Sequence, residues 1–173
     1  MILINKINNL SQSKFIQIFA NIFEKTKWIA ERLYNQKPFD SFEDLRLKML
    51  EIFKNSSKKN QLKILRSHPD LADKTKIGKL TSDSNEEQNS AGLDKCTIKE
   101  FEEFKNLNEK YKKKFNFPFI YAVKGKSKIE VLNNFKERVA YDINTEFEEA
   151  KKQVKKIANL RLTEINKNEK NFF

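Results

Sequence analysis

His68 is the only histidine in this chain, and Pro69 follows it directly. Imidazole is the one side chain whose ordinary pKa, about 6.5, lets it give and take protons near neutrality. Proline has a fixed φ and no N–H, so Pro69 is suited to start a helix through Asp70-Leu71-Ala72. It also restricts the backbone of the residue before it, which would hold His68 at a helix junction. A lone histidine is more often a surface or hydrogen-bonded polar group than a catalyst; the junction is what singles this one out. One histidine and one cysteine, Cys96, cannot build a zinc site of the usual kind, so no metal is expected.

Further along, Ser84-Asn85-Glu86-Glu87-Gln88 is followed by Ala91-Gly92-Leu93-Asp94. Ser84-x-x-Glu87 matches the capping-box pattern, and Gly92 is placed to end a short helix as its C′ residue. Read as structure, Ser84 and Glu87 only satisfy backbone donors. Read as function, an open helix start offers the N–H groups of residues 85–88 and a favourable dipole for carboxylate or amide oxygens. Glu87 would then face a ligand or orient His68. The two readings compete for one carboxylate.

Arg161 continues the apolar stripe of Val154 and Ile157 on the last helical pattern. A guanidinium on an inner face must meet an acidic side chain or an anionic ligand, and either reading is open. Arg138, beside Val139, is a comparable case for which a structural role is preferred. Between them in interest lies Phe117-Pro118-Phe119-Ile120-Tyr121-Ala122-Val123, which breaks the helical period. On its residues alone it is a buried connection filling core. Yet non-helical backbone leaves N–H and C=O groups that a planar, urea-like ligand could use.

The elements that must carry these residues are helices. Phe15, Phe19, Ile22 and Phe23 recur at helical spacing behind Ser11 or Ser13 as N-cap. A short helix holds Trp28, Ile29 and Leu33 and stops before Lys37-Pro38. Ser41 opens another, with Leu45, Leu47, Met49, Leu50 and Phe53, and Leu62, Ile64 and Leu65 mark the next, which ends near Ser67. Beyond the central stretch come Phe101, Phe104, Leu107, Tyr111 and Phe115, then Ile129, Leu132, Phe135, Val139 and Ile143, then Phe147, Ala150, Val154 and Ile157 or Ala158. Three Gly and three Pro disfavour a turn-rich β fold. The expected architecture is all-α: a single-domain bundle of about eight helices over residues 1–165, with a polar tail over 166–173.

At 173 residues the chain can bury one real core, and fifteen Phe supply much of it. MILINKINNL lacks the basic region and the roughly 7–15 apolar residues of a signal peptide. No apolar run approaches the roughly 18 residues of a membrane span. The end, Lys170-Asn171-Phe172-Phe173, is not a Ser-Lys-Leu tripeptide. A soluble cytoplasmic protein with no membrane association is therefore expected. The net charge of +11 raises a nucleic-acid surface, but the basic residues are spread and interleaved with Glu, as in Glu148-Glu149-Ala150-Lys151-Lys152, which favours solvated helix faces.

Four motifs, taken in order, resemble the OHCU decarboxylases: Leu65-Arg66-Ser67-His68-Pro69-Asp70-Leu71-Ala72, Ser84-x-x-Glu87-Gln88-x-x-Ala91-Gly92-Leu93-Asp94, Phe117-Pro118-Phe119-Ile120 and Leu160-Arg161-Leu162. OHCU is 2-oxo-4-hydroxy-4-carboxy-5-ureidoimidazoline, the last intermediate between urate and (S)-allantoin. The resemblance implies an all-α homodimer that decarboxylates OHCU with no metal or organic cofactor and binds no nucleic acid. It implies His68 as the catalytic acid, with Glu87 and Arg161 as polar companions. Pro69, Ser84, Asn85, Glu86, Glu87 and Gln88, and the backbone of Phe119, Ile120, Tyr121, Ala122 and Val123, would bind substrate. Two departures stand out: surfaces unusually rich in Lys and Asn, and no peroxisomal tail of the kind some eukaryotic members carry. The rival reading is a basic helical nucleic-acid or interaction module with Lys112, Lys113, Lys114, Lys151, Lys152, Lys155 and Lys156 as contacts, whose binding would fall steeply with salt. An enzyme-like fold that has lost activity and serves assembly is a third.

Overall fold

The structure is a computed structural model that describes residues 2–73 and 80–168. Its described residues form nine α-helices and one short 3-10 helix, with no strand. In chain order these are α1 (Ile2–Asn8), α2 (Gln12–Phe19), α3 (Lys27–Tyr34), α4 (Phe42–Lys54), α5 (Lys58–Ser67), α6 (Ser82–Ser90), the 3-10 turn Leu93–Lys95, α7 (Ile98–Phe115), α8 (Lys128–Arg138) and α9 (Ile143–Lys167). None of the described helices is long and apolar enough to cross a membrane.

Side-chain oxygens set most of the helix starts. Ser11, Ser41, Thr81, Thr97 and Ser127 each accept a hydrogen bond from the backbone N–H three residues on. At α7 and α8 the third residue returns the favour: Glu100 accepts from Thr97 N–H and Glu130 from Ser127 N–H. Those backbone bonds, with lysine partners Lys128 and Lys126, hold both carboxyls below their ordinary range. The chain divides into two compact units, residues 1–64 with 155–173 and residues 65–154.

In the first unit Phe15 is the centre of an aromatic group, with its ring centroid 4.6 Å from Phe19 and 5.5 Å from Tyr34. The apolar spacing of α2 thus buries Phe15 and Phe19, whereas Ile22 and Phe23 are buried from the turn after the helix rather than from a continued helix. Phe23 packs against Phe53 of α4 at 5.1 Å. Asn8 ties α1 to the Phe39 backbone in both directions, by Nδ2 to the carbonyl at 2.8 Å and by Oδ1 from the N–H at 2.9 Å.

In the second unit Tyr111 of α7 meets the rings of Phe115, Phe117, Phe119 and Phe135. Phe119 and Phe135 stack at 3.9 Å, and the Arg138 guanidinium lies 4.6 Å from the Phe119 ring centre. Arg138 and Glu146 form a buried ion pair, and the Tyr111 hydroxyl donates to the same carboxylate. Arg138 also donates to the Ile120 carbonyl at 2.8 Å. Arg138 therefore has the structural role expected of it. The apolar run from Ile129 to Ile143 is interrupted, because α8 ends at Arg138 and Asp142 caps a new helix by accepting from Asn144 N and Thr145 N. Ile129 and Ile143 consequently face outward. Helix α9 runs to Lys167, past the start of the expected tail, and residues 169–173 of that tail lie outside the described residues.

Burial, with the adjacent Glu146 carboxylate as the next cause, pushes the Tyr111 phenol far above its ordinary value. An unfolded phenol ionises near pH 10. The unfolded state then gives up its proton first, so this group's contribution is complete below about pH 10 and is lost as pH climbs beyond it. Tyr111→Phe should therefore flatten the alkaline decline in stability, measured by urea unfolding at about pH 8 and about pH 11.

Candidate functional site

His68 comes immediately after α5, its N–H bonded to the Leu65 carbonyl at 3.3 Å, and the residue is 9% exposed. The helix expected from Pro69 does not form. Leu71 and Ala72 make a turn instead, and Ala72 has φ +54°. Proline preorganises a helix start only if the following N–H and C=O groups close on one another. Here they close on side chains from α6 and α7. Gln88 accepts from Ala72 N–H at 3.0 Å and donates to the Asp70 carbonyl at 3.4 Å. Asn108 donates to the Leu71 carbonyl at 2.9 Å, and Lys112 donates to the Asp70 carboxylate at 2.6 Å.

The capping box expected at Ser84 is not there. Helix α6 begins at Ser82 with Thr81 as N-cap, whose hydroxyl accepts from Ser84 N–H. Asn85 N–H already bonds the Thr81 carbonyl at 2.9 Å. The N–H groups of residues 85–88 are thus inside the helix and do not form an anion-binding start, and Glu87 is too deep to be the reciprocal cap partner. Thr81 carries the same capping hydroxyl three residues earlier, and Asp83 then falls in the first turn, where the helix dipole favours an acid. Gly92 does act as the C′ residue, at φ +71°.

What α6 presents instead is a polar face. Ser84, Gln88 and Ala91 are buried and Glu87 half-buried, at spacings that share one side of a helix. Asn85 is also half-buried, and Glu86 is exposed. A helix that buries serine and glutamine in place of leucine contributes little apolar packing, and such local conflicts concentrate at functional sites.

The Phe117–Val123 segment is non-helical as expected, and largely buried. Some of its backbone is already engaged. Ile120 C=O accepts from Arg138, Ala122 N–H donates to Gln153 Oε1 at 3.1 Å, and Val123 C=O accepts from Lys126 N–H at 2.9 Å. Phe119 and Tyr121 backbone groups make no hydrogen bond to any described residue. Ile120 and Ala122 thus rest on Arg138 and Gln153.

His68, Pro69, Ser84–Gln88 and Phe119–Val123 all belong to the second unit. Arg161 belongs to the first, where it is 6% exposed and donates to Glu24 at 3.0 Å and to the Asn21 carbonyl at 2.7 Å. The inward-facing guanidinium thus has an acidic partner. Gln88 as a clamp, Asn108, Glu146 and Gln153 had no sequence signal beyond being polar residues at helical positions that turn out to be buried. Of the lysines in the nucleic-acid reading, Lys112, Lys151 and Lys152 are paired with Asp70, Glu148 and Glu149. Among the described residues no group of His, Cys, Asp and Glu is arranged to hold a metal ion.

The sequence profile of the OHCU decarboxylase family matches residues 8–163. The chain is 42% identical over 165 residues to the uric acid degradation bifunctional protein of Bacillus sp. (strain TB-90), covering 95% of this chain but only 32% of that protein. It is 37% identical to the 2-oxo-4-hydroxy-4-carboxy-5-ureidoimidazoline decarboxylase of Haloferax volcanii, covering 93% of this chain and 94% of that one. A crystal structure of (S)-allantoin synthase superposes with a TM-score of 0.74 at 28% identity, over 93% of this chain and 53% of that chain.

Proposed function

We propose, from the premise that the chain belongs to the OHCU decarboxylase family, that it decarboxylates OHCU to (S)-allantoin and CO2 in urate breakdown. The observation that supports this most directly is the fastening of the turn after His68 to the polar face of α6 through Gln88. It joins the turn after the only histidine to a helix face that buries Ser84 and Gln88.

Cleavage of the bond between C4 and its carboxylate releases CO2 and leaves an electron pair on that carbon. The adjoining imine and carbonyl system of the substrate ring delocalises the pair, so no metal or organic cofactor is invoked. The protein must hold the carboxylate, stabilise the developing oxyanion and deliver a proton to one face. His68 is the proton donor in this reading, with Glu87 and Arg161 as its polar companions. Glu24 and the Asn21 carbonyl hold the Arg161 guanidinium through Nη1. Pro69 and the side chains of Ser84, Asn85, Glu86 and Gln88 shape one side of the substrate pocket. The backbone of Phe119–Val123, above all Tyr121, takes the ureido group. We extend the reading to a cytoplasmic homodimer of one domain over residues 1–165, acting on a small molecule rather than on nucleic acid or membrane.

OHCU decays unaided to racemic allantoin, so the product's handedness is the decisive readout. Circular dichroism on freshly generated OHCU should show the (S) enantiomer accumulating faster than the uncatalysed decay. A racemic product at the uncatalysed rate would refute the proposal.

A further inference from the structure

The buried stripe of α7 is Phe104, Asn108, Tyr111 and Phe115. Asn108 is 5% exposed, at a position where every other member is aromatic. Leu107, which the helical spacing had assigned to that stripe, is only half-buried. An amide in a core position loses hydration and must recover it in hydrogen bonds. Asn108 recovers it on one side only: Nδ2 donates to the Leu71 carbonyl, and Oδ1 has no hydrogen-bond partner among the described residues. Packing alone would favour a leucine there, so the asparagine calls for a reason outside packing.

The one thing it reaches is the middle of the turn that follows His68-Pro69. Gln88 holds the residues on both sides, Asp70 and Ala72. Ala72 has left-handed backbone, which a residue with a Cβ adopts only where its surroundings over-determine it. Three consecutive residues, beginning two positions after His68, are thus fixed from two helices. We propose that Asn108 is a positioning residue for His68: by holding the Leu71 carbonyl it completes the clamp begun by Gln88 and keeps the imidazole in one orientation. The proposal rests on the reading of His68 as the catalytic acid. Asn108 is assigned no contact with substrate.

His68 being the only histidine, its Cε1–H gives a single imidazole resonance that needs no assignment. The test compares wild type, Asn108→Leu and Asn134→Leu in the full chain, by that resonance, by kcat and KM on OHCU, and by Tm. Asn134 on α8 also has an amide oxygen without a partner among the described residues, so it controls for the chemical change alone. Asn108→Leu should lower kcat on the order of tenfold to a hundredfold with a much smaller change in KM, as misplacement of a reacting group does. Its imidazole resonance should move or broaden while Tm stays within a few degrees. Asn134→Leu should change neither kcat nor the resonance. If Asn108→Leu does not fold, Asn108→Ser gives the same readouts, because a serine hydroxyl is too short to span to Leu71. Wild-type kcat with an unmoved resonance in the Asn108 variant overturns the proposal, as does a kcat loss that only follows a fall in Tm. A wild type that turns over no OHCU, while the Asn108 variant still moves the resonance, overturns the functional reading and supports the positioning.

Discussion

Replacing His68 by asparagine is expected to abolish the stereoselective formation of (S)-allantoin while leaving the helical fold intact. His68 follows α5 and is mostly buried, but the clamp on residues 70–72 uses main-chain groups of Asp70, Leu71 and Ala72, not the imidazole. Asparagine keeps a polar side chain of similar reach and removes only the ability to exchange a proton near neutrality. A general acid in a positioned site contributes about 10²–10⁴-fold in rate. Against a background of spontaneous decay, a loss of that size leaves racemic product. Far-ultraviolet circular dichroism should be unchanged, and the optical rotation of the product should vanish. Near-normal turnover of the correct enantiomer in His68→Asn would sink the assignment.

The second large effect is on stability. Arg138→Leu strips the cation from Glu146, a carboxylate that is 0% exposed and also takes the Tyr111 hydroxyl. It further leaves the Ile120 carbonyl without its donor. Breaking a buried pair by removing one partner costs about 3–5 kcal/mol. At this chain length that corresponds to a fall in Tm of roughly 6–20 °C. The same change made throughout, as Arg138→Leu with Glu146→Leu and Tyr111→Phe, leaves no stranded charge and should recover most of the loss. Thermal unfolding of both variants measures this. A loss below about 1 kcal/mol for Arg138→Leu, the range of exposed pairs, would show that Glu146 is not held as the structure has it.

The two predictions differ in how far the sequence foreshadows them. His68-Pro69 is a contiguous pair, and its candidacy needs only the chemistry of imidazole and the stiffness of proline. Arg138 and Arg161 could be recognised as inward-facing because they sit on apolar stripes. Their partners, Glu146 and Glu24, could not, because a side-chain pairing across the fold leaves no period in the chain. At Ser84–Gln88 the helix was legible and its start was not. Thr81 and Ser84 are both competent N-caps, and a capping hydroxyl alone does not say which of two will be used.

The sequence by itself determined the all-α class, the limits of α4 and α5 and the C-terminal ends of α3 and α7 to within a residue or two, and the non-helical Phe117–Val123. These follow from short-range causes: apolar spacing, hydroxyl caps, and the backbone limits of Pro38, Pro69 and Pro118. Only the tertiary structure decided that the chain after Pro69 turns rather than coils, and that Asn108 rather than Leu107 points into the core. It alone decided that Gln88 faces the main chain of Asp70 and Ala72. Each of those outcomes sets a local preference against hydrogen bonds from residues far along the chain. A buried carbonyl or N–H must find a partner wherever the fold brings one, and that search is not written in neighbouring residues.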